Sequence, residues 1–92
     1  MYAIRCVTPN AGSNRVSYVA RPGVYQSNGW TDGAENARHF ETMTELLHFV
    51  RHGRFAGEFS ATPGIEGVRG WYEIVKLTPR PVAVVYDVEV VG

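Results

Sequence analysis

The 92-residue chain has the length of one domain, read here as 1–92, with a core no larger than one sheet and one or two helices. Its 45% hydrophobic and 20% charged content belongs to an ordinary globular protein and excludes a disordered chain. Nine basic and nine acidic residues cancel, which argues against a protein whose main task is gripping phosphates.

In chain order, residues 2–8 alternate as a strand with Tyr2, Ile4 and Cys6 on one face. A cluster of turn formers at 9–14 leads to a second alternating run at 15–20, so the two make a β-hairpin. Residues 21–33 form a long loop with three glycines and two aromatics, Tyr25 and Trp30; loops of that length usually carry function. Trp30 as a plain cap on the core is the alternative. Residues 34–39 are a short turn or helical segment.

The strongest local signal comes next. Thr42-Met43-Thr44-Glu45 has the form of a capping box, and Met43, Leu46, Leu47 and Val50 make one apolar stripe. Arg51 and His52 fall in the last turn, where cations favour the helix dipole, and Gly53 suits a left-handed cap. A helix is therefore expected at 42–52. After a loop with a short strand near 55–59, strands are expected at 71–77 and 82–91, separated by a turn at 78–81. The last strand places Asp87 and Glu89 toward water, as in a sheet solvated on one side. The expected fold is α+β: an antiparallel sheet of four or five strands with the one main helix packed on one face.

Chemistry-bearing patterns are sparse. A deep catalytic cleft is hard to build at this size, and no Walker loop, GxSxG elbow or Rossmann glycine pattern occurs. The single cysteine, Cys6, permits neither an intrachain disulfide nor a cysteine-based zinc site, and reads as a small buried residue rather than a nucleophile. His48 and His52 have the i, i+4 spacing of a two-imidazole metal clamp, but the residues between them lack the glutamate of a metalloprotease helix. Asp87 and Glu89 read as a solvated strand face. No apolar run approaches the length that spans a bilayer, and no signal-peptide pattern opens the chain, so the expectation is a cytoplasmic protein without a membrane partner.

Arginine is the exception. Eight of the nine basic residues are Arg, the residue of interfaces and of carboxylate and phosphate recognition, although an Arg-rich codon usage gives the same count. Arg38, His39, His48, Arg51, His52 and Arg54 gather around the helix and its ends. Residues 1–54 carry six Arg against four acids, whereas residues 55–92 carry three basic groups against five acids. Such a dipolar surface steers partners, and equally serves the helix dipole. With the aromatic loop it gives a candidate binding set of Arg21, Tyr25, Trp30, Arg38, His48, Arg51, His52 and Arg54. No catalytic residue, metal or other cofactor is assigned.

A hairpin ending in Tyr18-Val19, a Trp30-Thr31-Asp32 element, an A-x-x-F segment (Ala37 to Phe40) and the Thr42-x-x-Glu45 box opening one helix resemble the layout of small phage-encoded anti-CRISPR proteins. The resemblance covers roughly 1–52, and its motifs are structural. It implies a non-enzymatic inhibitor, acting in the host cytoplasm, that docks on a multi-subunit CRISPR surveillance complex of type I and blocks recognition of target DNA. Its arginines would meet acidic protein surface or the guide RNA, and no small-molecule substrate is implied. Two other readings stand beside it: an RNA- or single-strand-binding module stacking bases on Tyr25 and Trp30, and a metal-dependent enzyme using His48 and His52.

Overall fold

The computed structural model describes residues 1–22, 29–52, 57–80 and 86–92. Its elements are β1 (Tyr2–Asn10), β2 (Ser13–Val19), β3 (Trp30–Thr31), a 3-10 turn (Ala34–Asn36), α1 (Met43–His52), β4 (Phe59–Ser60), β5 (Gly70–Pro79) and β6 (Tyr86–Val90). The α+β fold with one helix is present. The sheet runs β3-β2-β1-β5-β4, with β6 also paired to β5.

The β1–β2 hairpin is longer than its alternation suggests. It closes at Asn10 opposite Ser13, so Ala11 and Gly12 alone make the turn. Gly12 takes φ +83°, the left-handed region open to glycine, and Ala11 donates its N–H to Asn10 Oδ1 at 2.9 Å. On its other edge β1 pairs antiparallel with β5, Tyr2 opposite Lys76 and Val7 opposite Trp71. The first strand is thus central.

One pairing departs from the antiparallel expectation. β4 runs parallel to β5, Phe59 opposite Gly70 and Ser60 opposite Trp71, so the sheet is mixed. β6 pairs antiparallel further along β5, from Val75 opposite Val90 to Pro79 opposite Tyr86. Trp71, Val75 and Lys76 each have a β1 partner as well, so β4 and β6 share the outer edge of β5. Residues 82–85, expected to begin the last strand, lie outside the described residues.

Apolar burial occurs on both faces of the sheet, not on one. Ile4, Cys6, Val19 and Ile74 face the helix and enclose Leu46 and Val50 of α1 together with Phe40 and Phe59. Ala3, Tyr18, Val75 and Leu77 point the opposite way and pack with Ala37, Ala34, Tyr86 and Val88. On this second face Arg5 lies opposite Glu73, and its Nε donates to Glu73 Oε1 at 2.9 Å. Asp87 and Glu89 are exposed as expected.

The helix begins as its cap dictates. Thr42 Oγ1 accepts the Glu45 N–H at 3.2 Å, satisfying one of the amides that the first turn leaves open. Of the stripe, Leu46 and Val50 are buried, and Met43 and Leu47 are half-buried against the same core. Gly53, the expected C-cap, lies outside the described residues. Among the described residues no helix is long and apolar enough to cross a membrane.

Candidate functional site

Residues 37–40 set the site. Ala37 and Phe40 form bridges to Ala20 and Tyr2, so this short extended segment straps the ends of β2 and β1 together. Its backbone is held at several points: Arg38 donates to the Val19 carbonyl at 2.8 Å, and Phe40 and Tyr2 exchange N–H···O bonds of 2.8 Å each. Two residues later Thr42 caps α1. The strap and the helix therefore meet at a fixed angle.

Between them lies an open groove of about 570 Å³, lined by Arg38, His39, Phe40, Thr44, Glu45, His48 and Phe49. Phe40 and Phe49 form its aromatic side, with ring centroids 5.5 Å apart. The Arg38 guanidinium lies over both rings, 5.3 Å from the centroid of Phe40 and 4.9 Å from that of Phe49. Contacts of this kind orient the guanidinium plane while leaving its outward N–H donors available. Among the described residues the ion pairs are Arg5–Glu73, Arg69–Glu58 and Arg80–Asp87, so Arg38 stacks without a carboxylate partner.

The other walls are polar. Glu45 brings a carboxylate, Thr44 a hydroxyl and His48 an imidazole. The His39 ring meets Tyr86 edge-on, with centroids 5.2 Å apart, and its Nε2 lies 3.2 Å from the Ala34 carbonyl oxygen. Three cationic or protonatable groups thus surround an aromatic floor, opposed by one acid. That arrangement can seat a carboxylate-bearing, partly apolar group by a charge-assisted fork from Arg38.

The sequence-derived set divides. Arg38 and His48 come together in the groove, and His52 joins them through His48, their ring centroids 4.4 Å apart. Arg51 is exposed on the same helix but does not line the groove, and exposed Arg21 lies beside the 3-10 turn, its N–H donating to Asn36 O at 3.0 Å. Trp30 is half-buried against the helix-side core, edge-on to Phe59 with centroids 5.3 Å apart, which matches its reading as a core cap. Tyr25 and Arg54 lie outside the described residues. Phe40, Phe49, Thr44 and Glu45 line the groove without belonging to that binding set. An arginine spaced among aromatics, here Arg38 before Phe40, is the signal that points to them.

Cysteine chemistry has less to stand on. Cys6 is fully buried at the centre of β1, and burial pushes its thiol well above its ordinary range; Arg69 offsets this in part and Glu58 adds to it. A protonated, buried thiol is a poor nucleophile. Native protein is therefore expected to resist a thiol reagent such as DTNB, with one equivalent reacting on unfolding in guanidinium; prompt reaction in buffer would contradict the burial. Among the described residues no three His, Cys, Asp or Glu side chains gather to hold a metal. Comparison with protein-family models, curated proteins and solved structures returned no match, so the functional reading rests on these residues themselves.

Proposed function

We propose that the protein is a non-catalytic binding module whose groove beside α1 receives an acidic, partly apolar segment of a partner macromolecule. The observation that carries this reading is Arg38, stacked over Phe40 and Phe49 and free of any ion pair among the described residues. An aromatic-backed arginine lining a groove with an aromatic floor has the composition of a binding hot spot. His48 widens the polar rim. The half-burial of Trp30 against Phe59 favours a protein partner over base stacking.

The layout resemblance supplies the partner to test first, a type I CRISPR surveillance complex in the cytoplasm of a phage-infected host. The module would cover a surface that target DNA must reach, with its arginines toward acidic protein or the guide RNA. Two measurements separate the target from the surface. Binding of purified protein to such a complex, followed by biolayer interferometry, tests the target, and no binding at micromolar concentration rejects it. Arg38→Glu tests the groove: at least about a tenfold loss of affinity, or 1.4 kcal/mol, is expected. Glu45→Gln, which removes the groove's own acid, should leave binding unchanged or tighten it. Unaltered binding by a folded Arg38→Glu protein would move the interface elsewhere.

A further inference from the structure

His48 and His52 are not used as a pair by the groove, and their arrangement has a chemistry of its own. We infer that they form a two-imidazole clamp for a divalent transition-metal ion of the Cu²⁺, Ni²⁺ or Zn²⁺ class on the exposed side of α1. The residues sit one turn apart in a ten-residue helix, so the backbone fixes their separation. Their ring centroids are 4.4 Å apart and the planes are inclined by 39°.

That spacing is close to what chelation needs. With metal–nitrogen bonds of about 2.0–2.1 Å and a bond angle between a right angle and tetrahedral, two coordinated imidazoles hold their ring centres roughly 4.5–5 Å apart. Rotation of these two exposed side chains can turn one nitrogen of each ring toward a shared ion. Both side chains are exposed, so loading requires no unfolding. The charged groups nearby on the helix are Glu45, one turn before His48, and Arg51, beside His52. Glu45 favours a cation there and Arg51 opposes it.

Because no third ligand is gathered among the described residues, the clamp supplies two donors and leaves the remaining coordination positions to water. Imidazole suits these ions, and their affinity for a nitrogen site rises toward copper. The metal acts as a staple. Bridging His48 to His52 ties down the last turn of α1, and an ion that binds the folded helix alone stabilises the fold by mass action.

The test uses untagged protein, stripped with EDTA and titrated with NiCl₂, ZnCl₂ or CuCl₂ in separate calorimetric runs near neutral pH. One metal per chain with micromolar affinity is expected, accompanied by a rise in thermal midpoint that EDTA reverses. His48→Ala and His52→Ala should each weaken binding at least about tenfold, as loss of one of two ligands requires, while His39→Ala leaves it intact. His48→Gln and His52→Gln keep the side-chain bulk and should lose the metal equally. Heat release and midpoint shift that persist in all four His48 and His52 variants would overturn the assignment, as would their absence from wild-type protein at about 100 µM metal. The clamp does not depend on the groove's partner, so either proposal can fail alone.

Discussion

Gly70→Ala is expected to destabilise the protein by about 3 kcal/mol, the upper end of what overpacking typically costs. A Cβ built at Gly70 would stand 1.9 Å from the Val7 carbonyl oxygen, 3.0 Å from Val7 C and 3.1 Å from Thr8 Cα. All three are backbone atoms, so no side-chain rotation makes room. β1 must move away from β5 where the two strands meet at Val7 and Trp71, and the ladder at the sheet's centre opens. The same residue pairs with Phe59 in the parallel register and accepts from Ser60 Oγ at 3.3 Å, so the disturbance reaches β4. Glycine inside a strand commonly marks such a close approach. Urea denaturation measures the loss. Gly57→Ala, where a Cβ meets nothing within 4 Å, serves as the control and should fall within about 0.5 kcal/mol of wild type. Equal midpoints for the two variants would show that the strands relax freely.

Leu46→Ala is expected to cost about 2–5 kcal/mol by opening a cavity between helix and sheet. Leu46 is fully buried on the inward side of α1, within the cluster that holds Ile4, Cys6, Val50 and Ile74. A substantial part of the roughly 5–15 kcal/mol that stabilises a typical domain would be lost. In a domain of this size each kcal/mol moves the thermal midpoint by about 4–8 °C, so a fall of roughly 10 °C or more is the reading. The variant also separates two kinds of binding defect. Arg38→Glu should lose the partner with only the small fall in melting point that loss of its stacking on Phe40 and Phe49 brings, whereas Leu46→Ala loosens one wall of the groove and should impair both strongly. A Leu46→Ala protein with an unchanged midpoint would mean that α1 does not rest on this core.

The helix was legible because its signals are local. Thr42, the four apolar positions and the basic last turn lie within eleven residues and agree with one another. The hairpin and the strands β5 and β6 were legible for the same reason, as alternation between turn formers. The parallel β4 was not, since two residues carry no period and only the distant Gly70 and Trp71 define them. Burial on the second face was hidden by its chemistry. Ala3 and Val7 fill the far side of β1 beside Ile4 and Cys6, so a strand buried on both faces resembles ordinary alternation with small residues between. The groove was half legible: Arg38 and His48 stand out by charge, but Phe40 and Phe49 meet only because the 37–40 strap crosses to β1 before the helix turns back.

The central place of the first strand has a consequence for how the protein is made. β1 leaves the ribosome well before its partner β5, since Tyr2 pairs with Lys76 far along the sequence. During translation β1 and β2 can close on each other as a hairpin, but Ile4 and Cys6 stay uncovered until the helix arrives. The inner edge that β5 will occupy stays open longer still. Closing a loop of that length must precede the contacts that reward it, which slows folding. A nascent strand with a bare edge also invites pairing with its neighbours on a polysome. Expression at high level is therefore expected to be limited by aggregation of incomplete chains rather than by the stability of finished ones, and slowing synthesis at low temperature should raise the soluble yield.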